Sequence, residues 1–226
     1  ANLQVVKRSK KWGQGLPLSE ILKQAMFPLG SVLFPGGIMP LRIFEPRYLQ
    51  LFSELTEEDS TFGTCLIEKG HEVGGQDSRF SYGTLCKITD LKELGQNQLA
   101  VQCLGIKRIL VRKWLPDNPY PVAQIEELDA SENKDFQLKE EIIEELERCY
   151  VLLVQMGVIP AESMDIKGLE RIDLYTACAL APLGQLDKYK LLAAESENNR
   201  SRLLLSQITS ERETLAAMSR LQGDEI

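Results

Sequence analysis

Residues 27–48, FPLGSVLFPGGIMPLRIFEPRY, constrain the fold more than any other stretch of this chain. They are apolar, dense in Pro and Gly, and end in a helix-start signal. Val32-Leu33-Phe34 reads as a short strand stopped by Pro35-Gly36-Gly37. Gly accepts positive φ and Pro fixes φ, so a turn of this composition joins two strands. Residues 38–44 resume as a second strand, interrupted by Pro40. A strand proline has no donor and belongs at an edge, a strand start or a bulge. Pro46 suits the first position of a helix, where its missing N–H costs nothing. Glu45, just before it, suits the positive end of the helix dipole.

Downstream the pattern stays strand-like. Leu99, Val101 and Cys103 alternate with Ala100, Gln102 and Leu104, and a second alternating run covers residues 108–113. Gly105 between them predicts a bulge or sharp bend. Residues 62–67, 82–91 and 122–128 supply further strands, and a short helix over 46–55 interrupts them. From residue 131 the period changes. Ile142, Ile143, Leu146, Cys149, Tyr150 and Leu153 recur at helical spacing over 135–156, with Glu140, Glu141, Glu144, Glu145 and Glu147 on a face read as solvated. Leu169, Ile172, Thr176, Ala179 and Leu180 place a second helix, residues 185–195 a third and 199–221 a fourth, with Leu203, Leu204, Ile208, Leu215 and Met218 as the apolar stripe of the last. Pattern alone gives a β-rich part followed by an α-helical part. The expected organisation is an arm over 1–20, a β subdomain over 21–130 and a helical subdomain over 131–226.

The opening stretch resembles that of the Lon protease amino-terminal, or substrate-binding, domain. The residues that carry the resemblance are Phe27-Pro28-Leu29, Val32-Leu33-Phe34-Pro35-Gly36, Pro40-Leu41, Ile43-Phe44-Glu45 and Arg47-Tyr48. Supporting matches follow in order: Phe62-Gly63, Tyr82-Gly83-Thr84, residues 104–108, then Ala181-Pro182-Leu183, Lys188, Leu191-Leu192 and Arg200 or Arg202. The resemblance implies an α+β fold, a PUA-like six-stranded β pseudo-barrel followed by a helical bundle. It implies a non-enzymatic module that recognises unfolded or damaged polypeptide. The P-loop string GxxxxGK[ST] of an ATPase does not occur in the chain. A free-standing protein and a fragment of a longer protease both fit.

Recognition of many sequences needs exposed apolar surface or an open strand edge. The candidate polypeptide-binding residues are Phe34, Ile38, Met39, Arg42, Phe44, Glu45, Arg47 and Tyr48. For Glu45 and Arg47 the preferred reading is structural: a helix-start carboxylate and an ion pair tying the helix to the barrel. Gly36-Gly37 and Gly74-Gly75 read as tight turns rather than phosphate loops. His71, the sole histidine, reads as a surface loop residue. No metal, cofactor or catalytic residue is expected. An enzyme is kept as an alternative only because Cys65, Cys86 or Cys103 could be exposed on a strand.

Charge narrows the partners. The net charge is −7, and residues 1–15 contribute +4, which leaves −11 on the remainder. Phosphate contacts need clustered Lys and Arg, so an acidic body disfavours nucleic acid and anionic membrane. The expected partners are unfolded polypeptide, or a specific protein, including a protease, docked as an adaptor through the basic arm and Trp12. RNA binding through the barrel is less favoured. Five dispersed cysteines without a CxxC pair read as free thiols of a reducing compartment. No apolar run reaches a membrane span, and the expected location is cytoplasmic.

Overall fold

The computed structural model describes residues 21–55, 60–69, 78–128, 136, 138–160, 166–169 and 171–223. Trp12, His71 and Gly74-Gly75 lie outside them. Six strands come first: β1 Ile21–Ala25, β2 Ile38–Ile43, β3 Thr61–Lys69, β4 Ser78–Gly95, β5 Gln98–Trp114 and β6 Val122–Leu128. Helix α1, Pro46–Glu54, lies between β2 and β3. The helices α2 Lys139–Gln155, α3 Ile166–Leu169, α4 Leu174–Leu180, α5 Gln185–Ala193 and α6 Glu197–Gly223 follow. This is the expected α+β architecture.

The sheet is antiparallel in the order β1-β6-β5-β4-β3, with β2 paired to β5 beside β6. The chain itself closes the ring. After β1 leaves β6 at Ala25, residues 26–29 run parallel to β3, with bridges Met26–Gly63 and Leu29–Leu66. Phe27 N donates to Gly63 O at 2.7 Å, Leu29 N to Cys65 O at 2.9 Å, and Ile67 N to Leu29 O at 2.9 Å. One end of the barrel is filled by α1. Its apolar face buries Tyr48, Leu51 and Phe52, and Phe27 packs on Tyr48 with ring centroids 4.3 Å apart.

Several elements differ from the sequence reading. β1 was not expected. The two alternating runs around Gly105 are one 17-residue strand. The expected bulge is present: Leu85 opposes Lys107 and Cys86 opposes Gly105, which leaves Ile106 as the extra residue. Residues 32–34 are not a strand, because Leu33 and Phe34 pack in two different cores. Leu33 joins Phe27, Ile43 and Phe62 in the barrel. Phe34 joins Ile142, Leu146, Leu191 and Leu204 among the helices. The second expected helix is broken, and Asp173 starts α4 by accepting a hydrogen bond from Thr176 N at 2.7 Å. Glu145 is not on a solvated face. It is 9% exposed and accepts from Arg212 Nε at 2.6 Å and Arg148 Nη1 at 2.7 Å, which ties α2 to α6. On α6, Leu204, Ile208 and Leu215 are buried, whereas Met218 is 49% exposed.

The turn after Phe34 needs two glycines for different reasons. Gly36 has φ +81° and completes a turn closed by Gly37 N donating to Phe34 O at 3.0 Å. Gly105 receives that turn: it accepts from Gly36 N at 2.8 Å and donates to Gly37 O at 2.9 Å. A Cβ on Gly105 would lie 2.6 Å from Phe34 O, so any other side chain would push the turn off the barrel.

The helical part grips the barrel around Phe34. Its ring lies 6.2 Å from that of Tyr175, and the Arg200 guanidinium lies 4.9 Å from the Tyr175 ring centre. Arg200, 1% exposed, donates to Leu191 O and Ala194 O at 2.8 and 2.9 Å, and burial lowers its pKa. Of the two arginines that match the carboxyl-half pattern, this is the one built into the packing, since Arg202 is exposed. Lys188 donates to Ala179 O at 2.7 Å, close to the end of α4.

Candidate functional site

β2 alternates in burial. Ile38, Pro40 and Arg42 are exposed, Met39 and Leu41 half-buried, and Ile43 buried. Its one ladder is with β5, so its other edge is open among the described residues. A groove of about 300 Å³ runs beside that edge. One wall is formed by the consecutive residues 39–44, and the other by Phe27, Pro28, Leu29 and Ser31. Tyr48, 4% exposed, forms part of the lining at the start of α1. A groove of this size lies at the small end of ligand sites and accommodates one large side chain or a short chain segment.

The structure brings five of the eight sequence candidates into this groove: Met39, Arg42, Phe44, Glu45 and Tyr48. Ile38 stands beside it on the outer face of β2, 61% exposed. Phe44 is 50% exposed. Arg47 bonds Glu45 at 3.1 Å and covers the Tyr48 ring at 4.4 Å, so this ion pair lies within the helix start. Phe34 does not reach the groove. It is 2% exposed, held in the helical core, and offers no surface. The wall made by residues 28–31 was not among the candidates. Its signal is weak in sequence, because it depends on the parallel pairing of residues 26–29 with β3.

Arg42 has a fixed place. Its Nε and Nη2 donate to Gln98 Oε1 at 3.0 and 2.6 Å, which fastens β2 to the β4–β5 hairpin. The partner is a neutral amide, and among the described residues no carboxylate pairs with this guanidinium at the rim. On the far side of α1, Glu54 accepts from Tyr120 at 2.5 Å. That bond lowers the Glu54 pKa, while burial and then Glu54 itself push Tyr120 up to about 12.

The cysteines are not placed for nucleophilic chemistry. All five are buried, including Cys65, Cys86 and Cys103. Hydrogen bonding to Cys103, then burial, raises the Cys86 thiol. Burial pushes Cys149 up to about 11 and Cys178 up to about 12. Cys103 goes the other way, lowered by its hydrogen bond with Cys86, but it is 1% exposed, and thiols shut away from solvent do not react. Among the described residues, no three His, Cys, Asp or Glu side chains gather as metal ligands would. Nor is any helix among them long and apolar enough to cross a membrane.

Comparison with known proteins places this geometry. The chain is 22% identical over 202 residues to the Lon protease of Anaeromyxobacter dehalogenans, covering 85% of this chain and 24% of that protein. It is 23% identical over 204 residues to Lon protease 2 of Myxococcus xanthus, again 85% and 24%. The chain thus spans about a quarter of the length of these curated relatives. Among solved structures, the Lon N-terminal domain protein from Xanthomonas campestris aligns with a TM-score of 0.62 at 26% identity, covering 82% of this chain and 98% of that one. The N-terminal domain of the Mycobacterium avium complex Lon protease shares the fold, with a TM-score of 0.59 at 15% identity over 83% and 98% of the two chains. The family described as the ATP-dependent protease La (LON) substrate-binding domain matches residues 23–210, and with its closing strap and barrel-to-helix packing this chain belongs to that family.

Proposed function

We propose that this chain is a polypeptide-binding module that takes up unfolded or damaged protein in the groove beside β2, with no catalytic step of its own. The observation that carries this reading is the combination of an open strand edge with Ile38 and Phe44, both half or more exposed, beside a groove lined by Met39, Leu41 and Phe27. Exposed apolar groups beside unpaired backbone accept many sequences, because neither needs a particular partner side chain. The family's description as a substrate-binding domain supports the same reading. The relatives carry this domain within Lon proteases and the family is described by an ATP-dependent protease, which supports delivery of the bound polypeptide to such a protease, in the same chain or in a separate one. A reducing compartment such as the cytoplasm suits the five free thiols.

Fluorescence anisotropy with one labelled polypeptide, folded and unfolded, at low and high salt, tests this. Salt-tolerant binding of the unfolded form alone is expected. Phe44→Ala should weaken it by about five- to thirty-fold, equivalent to about 1–2 kcal/mol. Equal binding of both forms, or of neither, would sink the reading. Binding that collapses steeply with salt would point instead to charge-driven contacts.

A further inference from the structure

Pro40 sets the phase of the β2 ladder. In an antiparallel pair, hydrogen-bonded and non-hydrogen-bonded residue pairs alternate. Pro40 opposes Gln102 and has no N–H, so that pair is a non-hydrogen-bonded one. Met39, Leu41 and Ile43 then bond to Cys103, Val101 and Leu99. An independent contact agrees: the Cys103 thiol donates to Met39 O at 3.5 Å, so that carbonyl faces β5. The backbone groups of Ile38, Pro40 and Arg42 therefore point to the open edge. They offer donors at Ile38 and Arg42 and carbonyl acceptors at all three.

From this we infer that the groove takes an extended polypeptide segment as an added strand on β2. The inference rests on the polypeptide-binding reading and specifies its chemistry. The segment alternates. Its apolar side chains enter the groove beside Met39, Leu41 and Ile43, and the intervening ones lie on the outer face with Ile38 and Arg42. Charge complementarity fixes one outer position. Glu45 is matched by Arg47 at 3.1 Å, whereas Arg42 bonds only the neutral Gln98 amide among the described residues. A residue directly opposite Arg42 on an added strand shares its face at cross-strand distance, so an acidic residue is favoured there. The missing donor at Pro40 limits the new ladder to short segments.

A short fluorescein-labelled peptide alternating valine and threonine, with one glutamate at an outer position, tests this. So does the same peptide N-methylated at one position at a time. N-methylation at every second residue should weaken binding by about tenfold, and at the intervening residues hardly at all. Lysine in place of the glutamate should weaken it several-fold, less so in high salt. Hydrogen exchange gives a second readout. The amides of Met39, Leu41 and Ile43 should be slow in the free chain, and those of Ile38 and Arg42 fast until peptide is added. If unfolded protein binds while N-methylation has no alternating effect, or while the peptide does not bind, strand addition falls and the polypeptide-binding reading stands. If neither the peptide nor unfolded protein binds, both fall.

Discussion

Replacing Phe34 with alanine tests whether this residue holds the barrel and helices together or serves as binding surface. Its ring is 2% exposed and packs with Ile142, Leu146, Leu191, Leu204 and Tyr175. Full burial of such a side chain contributes about 1.5–3 kcal/mol by transfer alone. A cavity term adds to this, because the site cannot collapse easily. The Phe34 backbone is held by the turn on Gly105, and Tyr175 is held under Arg200. The total expected loss is about 3–5 kcal/mol. For a chain of this size about 2–4 °C accompanies each kcal/mol, so the melting temperature should fall by about 6–20 °C. Urea unfolding followed by circular dichroism measures the loss, with Phe44→Ala as the control at about 0.5 kcal/mol or less. At a temperature where both variants stay folded, Phe34→Ala should bind unfolded polypeptide as the parent does. A stability loss below about 1 kcal/mol for Phe34→Ala would refute the reasoning, since a ring with that little effect is not packed in a core.

Further expectations follow from other contacts. Gly105→Ala should cost toward the upper end of the about 1–3 kcal/mol of overpacking, because the new Cβ meets backbone at 2.6 Å; Gly36→Ala, in open space at φ +81°, should cost only the left-handed penalty of about 1–2 kcal/mol. Glu145→Ala should destabilise by about 1–3 kcal/mol in urea melts, whereas Glu144→Ala, 61% exposed in its pair, should change stability by less than about 0.5 kcal/mol. The five thiols should resist a thiol reagent at pH 8 and react fully in denaturant. Cys149 and Cys178 are raised from 9.0 to about 11 and about 12, so their contribution to stability is complete below about pH 9 and is lost as pH climbs through the folded-state values. An alkaline melt series that stays flat from pH 8 to 11 would contradict this. Tyr120→Phe removes the main cause of the lowered Glu54 pKa, so an NMR titration should show Glu54 returning toward 4.5. In the parent, the Glu54 contribution is present above that ordinary value and fades as pH falls through the lowered one.

Local chemistry was the legible part of this fold. The turn at 35–37, the proline-started helix, the bulge beside Gly105 and the helical period after residue 139 each declare themselves within a few residues. What stayed hidden depends on distant partners. ILKQA has no alternating pattern, and β1 is a strand because β6 lies beside it. Leu33 and Phe34 look like consecutive strand residues, yet they enter different cores, and no periodicity encodes that. Glu145 borders the Ile142–Leu146–Cys149 stripe, and its partner Arg212 lies 67 positions away. The groove was half legible. Its β2 wall was read from the motif, whereas the wall at 28–31 exists only because residues 26–29 pair with β3.

The eleven residues 27–37 form one continuous piece with three attachments. They close the barrel along β3, line the groove, and lodge Phe34 among the helices. A cut between the last strand and the first long helix therefore divides the sequence but not the packing. A barrel expressed without the helices would carry a bare phenylalanine beside an open strand edge, and helices without the barrel would keep a hole of that shape. Anyone grafting this module onto another protein, or trimming it to a minimal binder, has to move both halves together. By the same connection, the groove wall at 27–31 and the phenylalanine held among the helices belong to one short stretch of backbone, so neither can be moved without redrawing the other.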